Sequence, residues 1–213
     1  MRVRSPPLAP CVRAVRYGAM AREQLSLFDA PPALPEGLRY AENVISAPEV
    51  DRLVEAFADL PFRAFDFHGF KGNRRVVSFG SRYDFSASAL RDAEPIPRFL
   101  EPARRAAAAF AGLDPDALEH AMVTEYAPGA GIGWHRDRPE FDKVIGLSFV
   151  SPAVLRLRRR DGDGWRRASL PLEPRSAYLL DGAARRDWQH SITPGERLRY
   201  SVTFRTLRRG RGA

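Results

Sequence analysis

A chain of 213 residues with 44% hydrophobic and 28% charged residues fits one globular domain with a sizeable core. No stretch approaches the roughly eighteen uninterrupted apolar residues of a membrane span, so we expect a soluble protein with no membrane partner. The net charge of +8 and the pI near 10.3 favour a polyanionic partner, and we expect nucleic acid, DNA ahead of RNA. Arginine with abundant alanine and proline is also typical of a GC-rich genome, which is an alternative source of the charge.

The ends of the chain differ from its middle. Residues 1–36 are interrupted by prolines and predict a disordered arm, residues 37–207 predict a single domain, and residues 208–213 form a basic tail. The first nineteen residues hold no acid and can be read as a transit peptide, but we prefer a start at Met20. The single cysteine, Cys11, cannot form an internal disulfide, which indicates a reducing compartment, and we expect a cytoplasmic monomer.

A short apolar cluster interrupts the arm. Its sequence, Gln24-Leu25-Ser26-Leu27-Phe28, resembles the peptide by which bacterial replication and repair proteins attach to the sliding clamp. In that peptide a glutamine and apolar anchors dock into a groove, so the resemblance implies that Gln24, Leu25, Leu27 and Phe28 contact the clamp. The alternative is an arm that packs back on its own domain.

Two helices are predicted ahead of the β-rich part. Ser46 and Glu49 have the spacing of a capping box, and the apolar residues that follow recur at helical spacing until the helix ends near Pro61. A second helix should begin at residue 97 or 102 and end at Phe110. Between them, the alternation in the aromatic-rich region 62–85 predicts short strands or a hairpin.

Beyond His120 the chain consists of short alternating runs separated by turn residues. This pattern predicts a sandwich, a barrel or a jelly roll, so the fold class is α+β with a mainly β core. The predicted strands cover residues 121–126, 144–150, 154–160, 165–170, 176–180, 188–192 and 198–206.

Three residues in this part could hold a metal ion. His135 and Asp137 are separated by one residue, and in an extended strand their side chains project to the same side, with Cα atoms about 6.6 Å apart. His190 lies on a different predicted strand. Two imidazoles and one carboxylate suit a non-haem ferrous centre with open coordination positions. The structural alternatives are a hydrogen-bonded core histidine and an ordinary strand-end carboxylate.

The strand that follows His190 carries Arg199, Ser201, Thr203 and Arg205 on one face. Its position and the arginine at each end indicate that this face holds an acidic cosubstrate, which could lie lengthwise between the two guanidinium groups. The alternative is a half-buried strand whose polar face meets water.

The order of these parts resembles the AlkB family of ferrous, 2-oxoglutarate-dependent dioxygenases, whose hallmark is His-x-Asp, a distant His and then Arg-x5-Arg. The resemblance covers roughly residues 35–207 and implies a double-stranded β-helix, or jelly roll, with N-terminal helices and a substrate-lid hairpin. It also implies Fe(II) as the metal, with 2-oxoglutarate and dioxygen as cosubstrates. The matching motifs are Tyr126-Ala127-Pro128-Gly129, His135-Arg136-Asp137, Trp188-Gln189-His190-Ser191-Ile192 and Arg199-Tyr200-Ser201-Val202-Thr203-Phe204-Arg205.

The resemblance assigns roles to individual positions. Family members often have asparagine where this chain has Thr124 and Ser201, so it offers shorter donors there. The implied iron ligands are His135, Asp137 and His190, and the implied 2-oxoglutarate contacts are Arg199, Arg205, Tyr126, Thr124 and Ser201.

On the substrate side, residues 79–85 resemble the family's lid, a glycine turn followed by an aromatic pair. An enzyme that acts on a base must extrude it into a pocket, and Tyr83 is the candidate stacking residue, with Arg82 available to a phosphate. Trp134 and Trp188 could line this pocket, or could simply be core residues. The six arginines that flank the turn at 161–164 predict a surface that tracks phosphates, with a solvated hairpin as the alternative.

The resemblance implies an oxidoreductase that removes alkyl groups from nucleic-acid bases, as in DNA alkylation repair. The same chemistry on tRNA, on another RNA or on a protein side chain is one alternative. A non-catalytic nucleic-acid-binding module is the other.

Overall fold

The chain folds as antiparallel β-sheets with its helices ahead of most of the strands. The computed structural model describes residues 34–67, 70–84, 89–92 and 94–208. The helices are α1 Ala47–Ala58, α2 Glu101–Ala111 and α3 Gly182–Arg186, with 3-10 turns at Arg98–Leu100 and Pro115–Ala117. The strands are β1 Leu38–Ala41, β2 Arg63–Phe67, β3 Phe70–Phe79, β4 Ser81–Asp84, β5 Ala89–Asp92, β6 His120–Tyr126, β7 Ile132–His135, β8 Phe141–Phe149, β9 Ala153–Asp161, β10 Gly164–Leu172, β11 Ala177–Leu180, β12 Gln189–Ile192 and β13 Arg199–Leu207.

The strands form a large sheet, a small sheet and a hairpin. The large sheet has the order β1-β11-β8-β13-β6-β3-β2, the small sheet has the order β10-β9-β12-β7, and β4 pairs with β5. Apart from β2–β3 and β9–β10, the strands that are adjacent in the two main sheets are not consecutive in the sequence, as expected for a jelly roll. The predicted mainly β, jelly-roll fold is therefore confirmed.

The helices cover one face of the large sheet. Helix α1 begins as predicted, because the Ser46 backbone N–H and hydroxyl both donate to Glu49 Oε2, at 3.2 and 2.6 Å. Its Phe57 is fully buried and its ring centroid lies 5.9 Å from that of Phe149 and 5.4 Å from that of Tyr200. Apolar residues at alternate strand positions thus form a core between the helices and the large sheet.

The opposite face of the large sheet meets the small sheet. A second core of aliphatic residues, including Leu155, Leu157 and Leu180, fills the space between the two sheets. Strand β13 lies between β6 and β8, with Ser201 paired to Thr124 on one side and to Ser148 on the other. Its polar residues therefore face the interior between the sheets.

Four short elements are absent from the predicted ranges, namely the strands β1, β5 and β7 and the helix α3. Each is too short for a periodic signal, and β1 is defined by its pairing with the distant strand β11. The extended segment of β7 ends at His135, so Asp137 follows the strand instead of lying within it. Among the described residues, no helix is long and apolar enough to cross a membrane.

Gly80 connects β3 to the β4–β5 hairpin, and its replacement is expected to be costly. Its φ is +78°, and a Cβ atom there would overlap the Glu119 carbonyl oxygen. We expect Gly80→Ala to lower the free energy of unfolding by roughly 2–4 kcal/mol, measured by urea denaturation. Gly162→Ala is the control, because Gly162 also has a positive φ but a Cβ atom there would have nothing within 4 Å. This variant should lower the free energy of unfolding by about 1 kcal/mol. Equal losses in the two variants would contradict the steric argument.

Candidate metal centre

The three predicted metal ligands converge between the two sheets. One ligand atom from each of His135, Asp137 and His190 lies within 4.8 Å of the other two. The two histidines are cross-strand partners on β7 and β12, with ring centroids 4.2 Å apart, and His190 Nε2 lies 3.5 Å from Asp137 Oδ2. The sheet register therefore assembles the site from residues more than fifty positions apart.

The hydrogen bonding and the burial of the imidazoles suit a metal ion. His135 Nδ1 lies 2.9 Å from the Gly133 carbonyl oxygen, which can only accept, so Nδ1 is the donor in this contact and Nε2 is the nitrogen left for a metal ion. Burial lowers the pKa of His190 to about 3, and the neighbouring His135 adds to the effect. His190 is therefore neutral at physiological pH, as a ligand must be.

Asp137 is held in its ionised form by a buried arginine. Burial alone raises the pKa of Asp137, but Arg205, followed by His190 and His135, outweighs it and holds the pKa below its usual range. Arg205 Nε and Nη2 both donate to Asp137 Oδ1, at 3.1 and 2.9 Å, while Nη1 lies 3.2 Å from His120 Nδ1. Asp137 Oδ2 is left facing His190.

Arg205 is engaged by two side chains of the site. Its Nε and Nη2 donate to Asp137 and its Nη1 lies within hydrogen-bond distance of His120. Because Nη1 and Nη2 each carry two protons, one N–H of each is left for the 2-oxoglutarate carboxylate that the sequence resemblance implied. The register of β13 against β6 brings Arg205 opposite His120, so Arg205 also orients the candidate metal carboxylate.

Arg199 lies at the other end of the same strand face and has buried donors without a hydrogen-bond partner. It is buried, and its Nη2 donates to Ser148 Oγ at 2.7 Å, but its Nε and Nη1 have no partner. Its guanidinium lies 4.7 Å from the centre of the Tyr126 ring. A buried cation with two unsatisfied donors fits an anionic ligand such as a carboxylate.

The other expected cosubstrate contacts lie on the same interior face. Thr124 Oγ1 is buried without a hydrogen-bond partner, and the Tyr126 hydroxyl lies 3.4 Å from Ser201 Oγ. A cavity of about 260 Å³ reaches Tyr126 and Arg199 from the side of the loop after β12, but it does not include the metal ligands. The unsatisfied polar atoms, more than this cavity, indicate where the cosubstrate is held.

The two tryptophans expected to line the substrate pocket are placed differently. Trp134 precedes His135 and lies on the outer face of the small sheet, where its ring contacts Arg156 and Arg158. The alternation of β7 thus turns it away from the metal ligands, and its assignment to the pocket is corrected. Trp188 is buried in the core between the sheets, with the Arg159 guanidinium 5.4 Å from its ring centre.

The remaining predicted contacts cannot be placed. Tyr83 and Arg82 lie on β4, but their side chains are outside the described part of the structure. The peptide of Gln24, Leu25, Leu27 and Phe28 also lies outside the described residues.

Sequence reasoning missed several residues that shape the site. Arg185, on α3, donates from Nη2 to the carbonyl oxygens of Arg138 and Phe141, at 2.5 and 2.8 Å, and so braces the loop that follows Asp137. Arg74 pairs with Tyr126 from β3, and its Nε is buried without a partner. Arg74 lies two residues before Val76 and therefore on the same face of β3, which was a usable signal of its position. The sequence of α3 offered no such signal.

The burial of His120 predicts a pH-dependent stability. Burial, followed by the charge of Arg205, lowers the pKa of His120 well below its usual value. Below about pH 6.5 the unfolded chain therefore takes up a proton that the folded residue does not, and the free energy of unfolding falls as pH falls. We expect the metal-free protein to lose on the order of 1 kcal/mol per pH unit from this residue between pH 6 and 5.

The variant His120→Asn isolates this contribution, because the asparagine oxygen can still accept from Arg205 but does not titrate. Urea denaturation at several pH values should show a shallower loss of stability for the variant than for the natural protein. Identical slopes would exclude His120 as the titrating group.

A jelly roll that brings two histidines and one carboxylate together defines the facial-triad class of non-haem iron oxygenases. Comparison with known proteins gives the family. The sequence model of the 2OG-Fe(II) oxygenase superfamily matches residues 37–208. The chain therefore belongs to the 2OG-Fe(II) oxygenase superfamily, as a dioxygenase that is similar to AlkB homologues. The expected cofactors of this class, Fe(II) and 2-oxoglutarate with dioxygen, agree with the donor set.

Individual relatives are similar over part of their length. The tRNA (carboxymethyluridine(34)-5-O)-methyltransferase ALKBH8 of Macaca fascicularis is 29% identical over 175 residues, which cover 76% of this chain and 25% of that protein. The Bos taurus alpha-ketoglutarate-dependent dioxygenase alkB homolog 7, mitochondrial, is 37% identical over 123 residues, which cover 51% of this chain and 55% of that protein. The chain thus spans about a quarter and about half of these relatives, so their names do not by themselves assign it a substrate.

The solved structure of OsALKBH1 is similar in fold. It gives a TM-score of 0.62 over 82% of this chain and 98% of that chain, at 16% sequence identity. An identity this low supports a shared fold and no more.

Proposed function

We propose that this protein is an oxidative dealkylase of nucleic-acid bases. The observation that carries the proposal is the convergence of His135, Asp137 and His190 on the interior face that also holds the unpartnered guanidinium of Arg199. The net charge of +8 and the similarity to AlkB homologues support a nucleic acid as the substrate.

Bound Fe(II) and 2-oxoglutarate supply the oxidation by which one oxygen atom of dioxygen enters a C–H bond of an N-alkyl group and the other enters succinate, with loss of carbon dioxide. A hydroxymethyl group formed in this way leaves the base nitrogen as formaldehyde and restores its N–H. The chain's own residues prepare the site for this chemistry. Arg205 keeps Asp137 ionised and oriented, Arg199 offers two donors to a carboxylate, and the core between the sheets excludes water.

The substrate side of the proposal rests on the hairpin of β4 and β5. Its connection through Gly80 to β3 joins it to the same sheet as Tyr126. We assign Tyr83 to base stacking and Arg82 to a phosphate, on their resemblance to the family's lid.

A turnover screen tests the proposed function. Purified protein with Fe(II), ascorbate and 2-oxoglutarate is offered methylated single-stranded DNA, duplex DNA, RNA and a methylated peptide, and succinate and formaldehyde are measured. Equal yields of both products from a methylated nucleic acid, absent in His190→Ala, are expected. Anaerobic addition of Fe(II) and 2-oxoglutarate should also give a weak visible charge-transfer band. Absence of the band and of formaldehyde from every nucleic acid would refute the proposal.

Oxidation of a modified RNA base is a second candidate. It is favoured by the 29% identity to ALKBH8, whose name gives tRNA as its substrate, although as a methyltransferase. The RNA arm of the screen distinguishes the two candidates, because DNA dealkylation predicts faster formaldehyde release from the DNA oligonucleotide. A protein-side-chain substrate predicts succinate and formaldehyde from the methylated peptide only. A non-catalytic binding module predicts oligonucleotide binding with no succinate from any arm.

We also propose that residues 24–28 attach a cytoplasmic form of this protein to a bacterial sliding clamp. The support is the sequence Gln24-Leu25-Ser26-Leu27-Phe28 alone. A synthetic peptide of this sequence should displace a known clamp-binding peptide, and a peptide with Gln24→Ala and Phe28→Ala should not. Failure of the natural sequence to displace the probe would remove the idea.

A further inference from the structure

An alternating stack of arginine and tryptophan side chains runs along the outer face of the small sheet. Arg158 on β9 lies between two indoles, with its guanidinium carbon 4.4 Å from the Trp134 ring centre and 4.3 Å from that of Trp165. Arg156 continues the stack beyond Trp134 at 5.1 Å, and Arg160 continues it beyond Trp165 at 4.6 Å. We refer to these five side chains as the outer Arg–Trp stack.

Hydrogen bonds set the orientation of two of these guanidinium groups. Arg156 Nε donates to Ser191 Oγ at 3.1 Å, and Arg158 Nε donates to Gln189 Oε1 at 2.8 Å. Both acceptors lie on the neighbouring strand β12, directly opposite the arginines. The inner edge of each planar group is thus satisfied, whereas its Nη1 and Nη2 donors have no protein partner among the described residues.

The charge of this face is unbalanced. Arg158 lies directly opposite Arg167 on β10, a like-charge pair that destabilises a sheet. Within the described part of the chain, none of Arg156, Arg158, Arg160 and Arg167 forms an ion pair. Of the acids of this ribbon, Asp161 is the last residue of β9 and Asp163 lies in the turn.

A purely structural reading is that the arginine stems shield two tryptophans from water. That reading explains the ring contacts, but it does not explain why unpaired like charges are placed at successive positions on one face. Repulsion among them is offset when an anion binds across the face. The spacing also matters, because alternate residues on a strand are about 6.6 Å apart, a step similar to that between consecutive phosphates of an extended nucleic-acid strand.

We propose that the outer Arg–Trp stack, together with Arg167, binds the phosphate backbone of one nucleic-acid strand. The indoles hold the guanidinium groups in place, and Arg160 Nη1 also donates to the Asp163 carbonyl oxygen at 3.3 Å. The remaining Nη donors are presented to successive phosphates. The choice of nucleic acid over another polyanion rests on the proposed function. Binding of an unmodified strand needs no turnover, so each proposal can fail while the other stands.

Fluorescence anisotropy of a labelled, unmethylated single-stranded oligonucleotide tests the binding surface with the full chain. The triple variant Arg156→Gln, Arg158→Gln, Arg160→Gln should bind about 100-fold more weakly near 0.1 M salt, and its log–log salt slope should be smaller by about 2. The charge-matched control carries Arg52→Gln, Arg98→Gln and Arg105→Gln on the exposed side of the helical region and should change affinity by less than about threefold.

A single variant tests the same surface in case the triple variant does not fold. Arg158→Gln should weaken binding by about fivefold at the same salt, with an unchanged melting temperature. Equal losses in the triple variant and its control would show general charge attraction and overturn the proposal. Tighter binding of a polyglutamate competitor than of the oligonucleotide would overturn it in favour of an acidic protein partner. If the wild-type protein binds DNA but shows no turnover of methylated nucleic acids, that result counts against the proposed function alone.

Discussion

Replacement of Asp137 by alanine should abolish iron-dependent turnover and also destabilise the metal-free protein by about 3–5 kcal/mol. The first effect follows because Asp137 supplies the only carboxylate of the ligand set His135, Asp137 and His190. The second follows because Arg205, whose side chain is 7% exposed, loses the oxygen that accepts two of its hydrogen bonds and becomes an unpaired buried charge. Turnover is measured as succinate release, and stability by urea denaturation with a chelator present.

The double variant Asp137→Ala, Arg205→Met separates the two effects. Removal of both charges should recover most of the lost stability, with an interaction energy of about 2–3 kcal/mol in the double-mutant cycle. It should not recover turnover, because the ligand is still missing. Asp137→Asn is the alternative if the alanine variant does not fold, since its amide oxygen can still accept from Arg205.

Two outcomes would contradict this account. Stability of Asp137→Ala within about 1 kcal/mol of the natural protein would show that Arg205 finds another partner or water. Turnover retained by Asp137→Asn at saturating iron would show that the carboxylate is not a required ligand.

Replacement of Arg199 by methionine should raise the KM for 2-oxoglutarate by roughly 100-fold, with a smaller change in kcat at saturating cosubstrate. The reason is that Arg199 Nε and Nη1 are buried and unpartnered, so a carboxylate is the group that satisfies them. Removal of one member of a buried, hydrogen-bonded charge pair costs about 2–5 kcal/mol. Initial rates of succinate release at varied 2-oxoglutarate give both constants.

Two further variants make this experiment specific. Arg197→Met removes the same charge from the exposed loop that lines the neighbouring cavity and should change the KM by less than about threefold. Arg199→Lys keeps the charge but loses the planar fork, so an increase of about tenfold is expected. An unchanged KM in Arg199→Met would assign the carboxylate to another cation, such as Arg205.

Much of the fold was predictable because the local signals agree with the tertiary structure. The capping box of Ser46 and Glu49 is present, and α2 ends at Gly112, whose φ of +71° suits a left-handed cap. The seven predicted strands all exist, with ends that differ by up to three residues, since their alternation reflects a sheet with two different faces. Strand β1 and helix α3 were missed because partners distant in sequence define them.

The convergence of the three candidate metal ligands could also be predicted, but the positions of other residues around the site could not all be predicted. The order of His135, Asp137, His190 and the arginine-bearing strand can be read from the sequence, and the structure brings the three named residues together. The strand alternation that placed His135 correctly also places Trp134 on the opposite face, where it stacks against arginine. The bracing contact of Arg185 depends on a five-residue helix with no periodic signal.

Residue types and their order along the chain predict the mainly β fold, the three candidate metal ligands and the strand that carries the two arginines. These properties depend on residue type and on spacing along the chain, which set the side of a strand to which each residue points. The structure adds that Asp137 and His120 contact Arg205, whereas Arg199 Nε and Nη1 are buried without a hydrogen-bond partner. That difference arises from the register of β13 between β6 and β8, because the pairing of strands distant in sequence determines which polar side chains are neighbours.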